Sequence, residues 1–189
     1  VWSGWGVGGG AGRRGVGRAR GAERLVGHLG DGGSLMRLAG LADAVWQLGP
    51  QAGTGRRDTR TRHLLSALSE GRSGKLPGRM VYISTSGVYG DCAGAWVSET
   101  HPLNSTSPRS RRRVDAERQI RAWARRNRVQ ASILRVPGID AADRLPLGRL
   151  QQGTPGIIGS EDRYTNHIQA DDLACICRAA LQRGKSCRC

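Results

Sequence analysis

Three consecutive hydroxyl side chains, Ser84, Thr85 and Ser86, follow an apolar run in RMVYISTSGVYGDC, residues 79–92. A hydroxyl both donates and accepts hydrogen bonds, so such a cluster suits the orientation of a substrate or cofactor oxygen. Val81, Tyr82 and Ile83 favour a strand, and a short apolar run stopped by turn residues fits the interior of a parallel sheet better than an exposed edge. The hydroxyls then stand at the strand's carboxyl end, where ligands bind in open α/β sheets. The competing reading is a polar strand end that bonds to nearby backbone as turn and cap.

The surrounding elements must hold that strand. ERLVGHLGD suggests a short strand through Leu25 and Val26 followed by a turn, and GGSLMRLAGLADAVWQLGP a helix from about Ser34, a break near Gly40 and a strand from Ala44 to Leu48 ended by Gly49 and Pro50. Leu64, Leu65 and Leu68 recur at helical intervals with Gly71 as a stop. After the hydroxyl strand comes the loop DCAGAWVSETHPLNSTSPRS, long enough to be functional. A helix is expected from about Arg112 to Arg126, a strand in VQASILRVPGI, a helical piece in RLPLGRLQQG, and a last helix capped near Asp171 or Asp172. Strands alternating with helices predict an α/β fold, a parallel sheet flanked by helices.

With 189 residues the chain has room for one domain with an adequate core. Residues 1–22, rich in Gly and Arg and without apolar periodicity, cannot bury enough surface to offset their ordering entropy and are expected to be disordered, leaving the domain at 23–189. The net charge of +15 raises nucleic acid as a partner. Yet Lys75 and Lys185 are the only lysines, Phe is absent and Gly numbers 29, a bias that looks like a GC-rich coding sequence. The basic stretch from Arg109 to Arg128 therefore reads as a solvated helix face, with binding of RNA or another acidic partner as the alternative function. Five cysteines, without an obvious leader or an apolar run near the roughly 18 residues of a membrane helix, point to reduced thiols and a cytoplasmic location. The pairs Cys175/Cys177 and Cys187/Cys189 have C-x-C spacing, narrower than zinc sites use, and helical positions two apart diverge by about 200°. No metal is expected.

Taken in order, GHLGD, ADAVWQLGP, VYISTSGVYGD, SETHPL, SPRSRRRVDAE, ILRVPGI and YTNHIQADDLA resemble the extended short-chain dehydrogenases/reductases, in the NAD-dependent epimerase/dehydratase branch, over residues 23–183. The resemblance implies a Rossmann-type domain that binds NAD or NADP and a small-molecule substrate, often a nucleotide sugar. It places Thr85 where the family has a hydroxyl bonded to the substrate oxygen, flanked by Ser84 and Ser86. It also aligns Arg109 with the family's proton-exchanging Tyr and Arg113 with the Lys four residues later. Arginine stays protonated and is a poor proton shuttle, although Arg113 remains suited to ribose or phosphate. For the cofactor the resemblance implies His28, Leu29, Asp31, Gly49, Pro50, Arg113, Pro137 and Gly138. His28 stands at an adenine-side Asp position, and Asp31 is the nearest carboxylate, with a turn or cap role as its alternative.

Gly4, Gly6 and Gly9 spell G-x-G-x-x-G, but a strand does not precede them and only 17 residues separate Gly9 from Gly27, too few for a Rossmann half. The motif reads as chance glycine richness. The expectation is a truncated or frame-disrupted member, incomplete at both ends.

Overall fold

The computed structural model describes residues 4–7, 22–25, 29–38, 40–41, 43–47, 54–70, 75–142, 151–153, 159 and 164–185. At its centre lie three parallel strands in the order β3 (Ala44–Gln47), β4 (Arg79–Thr85) and β5 (Gln130–Val136). Met80, Val81, Tyr82 and Ile83 are all buried, because β4 is paired on both edges and covered on both faces. A parallel pair, β1 (Gly4–Val7) with β2 (Ala22–Leu25), precedes this sheet, and another, β6 (Gly138–Asp140) with β7 (His167–Gln169), follows it.

Strand alternation divides the core. Met80, Tyr82, Ala131 and Ile133 point to one face and pack under α2 (Thr59–Ser69) and α3 (Pro108–Asn127), against Leu64, Leu65, Leu68, Ile120 and Trp123. Val81, Ile83 and Val136 point to the other and meet Leu173 and Cys177 of α4 (Ala170–Arg183). Burial there pushes the Cys177 thiol pKa up. A short helix α1 (Gly32–Leu35) runs into a 3-10 turn at Met36–Leu38.

Caps explain where the helices begin. Asp58 bonds the amides of Arg60 and Thr61 to start α2. Ser107 caps α3 and Pro108 occupies its first turn, so α3 opens four residues before the expected Arg112. Arg128 closes it in the left-handed region at φ 56°, bonding Ala124 and Arg125 carbonyls. Gln169, rather than an aspartate, caps α4; Asp171 and Asp172 sit in its first turn, where carboxylates complement the helix dipole.

Other expectations shift by a residue or two. β2 ends at Leu25, with Val26 outside the described residues. α1 opens at Gly32 under the Asp31 cap. Pro137, lacking an N–H, separates β5 from β6 where one strand was expected. In the leading segment, where no element was expected, Gly4–Val7 forms β1 and pairs with β2; Gly4 and Gly6 thus lie inside a strand and not on a phosphate-binding turn. Of RLPLGRLQQG only Gln151–Gly153 falls within the described residues, as does only the Cys175/Cys177 half of the cysteine pattern. No helix among the described residues is long and apolar enough to cross a membrane.

Ile133 is fully buried between the strands and the α2–α3 layer. Ile133→Ala is therefore expected to cost about 2–5 kcal/mol in a urea denaturation midpoint experiment, with an unchanged m-value.

Candidate active site

The carboxyl ends of β4 and β5 carry the polar groups of the molecule's centre. Ser84 and Thr85 alternate along β4, so they part company. Ser84 points toward α3, is buried, and donates from Oγ to Glu117 Oε1 at 2.5 Å. Thr85 points the other way and is half-buried; its Oγ1 accepts from the Gly87 amide at 3.2 Å, capping a 3-10 turn at Ser86–Val88. That contact leaves the Thr85 hydroxyl proton to donate elsewhere. Ser86 is half-buried within the turn, its carbonyl accepting from Tyr89 N. The hydroxyl triplet is therefore one network member, one outward hydroxyl and one turn residue, not a single cluster facing a ligand.

Glu117 and Arg135 form the central ion pair, Nη2 to Oε2 at 2.8 Å, with side chains 2% and 8% exposed. Arg135 Nε adds a bond of 3.2 Å to Oε1. Its Nη1 donates to the Tyr89 hydroxyl at 2.9 Å and to the Glu99 carbonyl at 2.8 Å, and its guanidinium lies 5.0 Å from the Tyr89 ring centroid. One arginine thus ties β5 to α3, to the turn after β4 and to the loop before α3. Gly90 completes the turn at φ +77°, and a Cβ there would collide with the Asn104 carbonyl oxygen. Sequence reasoning missed this network. Its signal was the pairing of an acidic residue on an apolar helix face with an arginine inside an apolar strand.

Arg113 and Arg109 differ in kind. Arg113 Nη1 donates at 2.9 Å to both the Tyr82 hydroxyl and the Ile83 carbonyl. Burial raises the Tyr82 phenol from 10.0 to about 12, the nearby Arg113 charge opposing the shift. Arg109 is exposed in the first turn of α3. Gln47, opposite Tyr82 in register, donates to Thr61 Oγ1 at 2.7 Å. Gln47 Oε1 and Arg113 Nε are buried polar atoms without a protein partner among the described residues. An acceptor and a donor left unmet beside the same phenol fit a ligand that carries hydroxyls, such as a ribose.

The remaining cofactor-side residues separate. Asp31 caps α1 through Gly33 N at 3.1 Å, so its carboxylate serves the cap role. The half-buried Leu29 turns its carbonyl toward His63 Nδ1 at 3.1 Å. Pro137 and Gly138 follow directly from β5, and Gly138 N donates to the Asn166 carbonyl at 3.1 Å. His28, Gly49 and Pro50 lie outside the described residues. Among the described residues there is no cluster of metal ligands.

A parallel sheet with helices on both faces and its polar groups gathered at the strands' carboxyl ends defines a Rossmann-like α/β protein. Residues 34–187 match the NAD dependent epimerase/dehydratase family, and the chain belongs to that family. Among solved structures, it is similar to DesIV, a dTDP-glucose 4,6-dehydratase from Streptomyces venezuelae with NAD and TYD bound, at 22% identity and TM-score 0.74 over 90% of this chain and 58% of that one. It is similar also to dTDP-glucose 4,6-dehydratase from Bacillus anthracis in complex with NAD, at 15% identity and TM-score 0.75 over 93% and 60%. RMD from Pseudomonas aeruginosa complexed with NADPH aligns at 20% identity and TM-score 0.66 over 88% and 65%. At these identities the likeness establishes the fold, and the chain spans roughly three-fifths of the length of these relatives. No match is found among curated proteins.

Two outcomes test the site's physics. Glu117→Ala, which leaves Arg135 buried and unpaired, is expected to cost about 3–5 kcal/mol, and the Glu117→Ala/Arg135→Ala double variant less than the sum of the singles, in urea unfolding. For Tyr82 the folded pKa lies above the unfolded one, so the fold favours the neutral phenol. Its contribution is complete below about pH 10 and is lost as pH rises through about 12. Melting temperature should therefore fall across that window, and Tyr82→Phe should flatten the fall.

Proposed function

We propose that this chain binds NAD or NADP and acts with it on a secondary hydroxyl of a small-molecule substrate of the nucleotide-sugar class, in an epimerase, dehydratase or reductase reaction. The observation that carries the proposal is the outward Thr85 hydroxyl at the carboxyl end of the central strand, in a chain whose family is NAD dependent. The solved relatives bound to NAD, TYD or NADPH support the choice of ligands.

In this reading Arg113 backs a ribose or phosphate, since its guanidinium is fixed at the end of β4 with Nε unmet, and Gln47 Oε1 accepts from a ribose hydroxyl. The backbone at Pro137 and Gly138 lines the same cleft. The dinucleotide, when bound, supplies an acceptor for a hydrogen and its electron pair from a sugar carbon. Thr85 orients the sugar oxygen. Arg109 stands exposed where the family resemblance puts a phenol, and a guanidinium does not cycle a proton near neutral pH. Proton handling in this chain therefore falls to another group.

Titration calorimetry with NAD⁺, NADH, NADP⁺ and NADPH tests the reading. Saturable binding by at least one dinucleotide is expected. Arg113→Ala should weaken it about tenfold or more, the loss of charge-assisted hydrogen bonds, while Thr85→Ala leaves it within about twofold. A chain that melts cooperatively and binds none of the four overturns the proposal.

A further inference from the structure

The outer side of the α2–α3 layer lies away from the carboxyl ends of the strands and carries a feature of its own. The two helices run side by side in one direction: the Asp58 amide at the start of α2 donates to Asp115 Oδ2, and Trp123 Nε1, near the end of α3, donates to Ser69 Oγ at the end of α2. Between them lies an open groove with two hollows, about 370 and 290 Å³, that share Arg62 and Gln119. From Asp115 to Arg126 the groove follows α3 for roughly 16 Å, or three helical turns. Leu65 and Trp123, both buried, form its floor, and the short side chains of Ser66, Ser69 and Ala122 leave that floor open to approach.

Charge of one sign borders the groove. Arg57, Arg62 and Arg126 line it, and Arg111, Arg118 and Arg125 form a row along the outer side of α3, since residues seven apart on a helix fall within about 20° of one another. All six are exposed, and among the described residues none is ion-paired. The carboxylates at the groove do little to balance them. Asp58 is buried as the cap of α2, and Asp115 accepts from the Asp58 amide and from Gln119 Nε2. Of the acidic residues lining the groove only Glu70, at its far end, is exposed.

An apolar floor between arginine borders selects the occupant. A nucleic-acid strand needs exposed rings for its bases to stack on, and the aromatic ring of this groove is buried with its Nε1 already bonded. A second copy of the chain would set one arginine row against another. A helix with a narrow apolar stripe and carboxylates on both flanks satisfies both features, the stripe meeting Leu65 and Trp123 and the flanks meeting the arginines. We infer that the α2–α3 groove docks an acidic amphipathic helix of a partner polypeptide, on a surface separate from the cofactor cleft proposed above.

The test uses the full chain and a fluorescent helical peptide of about 18 residues, long enough to span the groove, with a leucine and alanine stripe flanked by glutamates. The same peptide with lysines for glutamates and a single-stranded oligonucleotide are the comparison probes. By anisotropy the acidic peptide is expected to bind saturably, several-fold more weakly as salt rises from about 50 to 200 mM, and the lysine peptide not to bind. Arg118→Glu/Arg125→Glu should weaken binding about tenfold or more, and Ala122→Trp, which obstructs the floor at unchanged charge, by a similar factor. These positions are exposed, so melting temperature should stay as in the wild type. If Arg118→Glu/Arg125→Glu fails to fold, Arg118→Gln/Arg125→Gln takes its place. The inference is overturned by an acidic peptide that does not bind, a lysine peptide that binds as tightly, or binding that ignores either variant. It is overturned as well by tighter binding of the oligonucleotide that the arginine variant weakens, or by a wild-type dimer in sedimentation that Ala122→Trp dissociates.

Discussion

The Glu117–Arg135 pair is the constraint around which the rest of the structure is arranged. Taking both charges out of water costs several kcal/mol per ion, and the cost is offset only where geometry is good and the remaining lone pairs are met. Here Ser84 and Arg135 between them supply both carboxylate oxygens, and Arg135 spends its other nitrogen on Tyr89 and Glu99. Each partner comes from a different element: α3, β4, β5, the turn after β4 and the loop before α3. A pair so buried leaves those elements little latitude. Any shift of α3 along the sheet would strand a charge, so the end of α3 that bears Arg109 and Arg113 is held in fixed relation to the end of β4.

From that fixed relation the site follows. Arg113 lies one helical turn before Glu117, on the same face of α3, and its guanidinium meets the Tyr82 hydroxyl and the Ile83 carbonyl just short of where Ser84 meets Glu117. The face toward α3 is thus polar at its carboxyl end and apolar below, where Ile120 and Trp123 pack with Met80 and Ile133. The opposite face keeps its apolar contacts with α4 to the end of β5. At this polar corner Arg113 Nε is buried without a partner among the described residues.

The basic stretch shows how the two levels divide. In sequence Arg109–Arg128 is a run of charge. In the structure it is an ordinary amphipathic helix whose Val114, Ala116, Glu117, Ile120, Trp123 and Ala124 are buried. Most of its arginines remain at the surface, but Arg113 is turned inward as a partner of a phenol that burial keeps neutral to about pH 12. Which arginine turns inward depends on the phase of the helix against the sheet, and that phase follows from packing Ala116, Ile120 and Trp123 into the core.

Legible in the sequence are the alternation of strands and helices, the central strand through Val81–Ile83 and the family resemblance, because periodicity, caps and ordered motifs are local and survive in one dimension. It placed the hydroxyls at a strand's end but not their separation. Alternation across the sheet sends Ser84 into the ion-pair network and Thr85 outward, and an exact strand boundary is needed to see that. Asp31 was legible as a cap, being two residues from the amide it accepts. That Glu117 needs Arg135, that Arg113 serves Tyr82, and that Asp140 faces His167 across 27 residues of chain is visible in the folded molecule alone. Those contacts depend on strand register and helix phase, which are fixed by packing the whole sheet at once and leave no periodic mark in the chain.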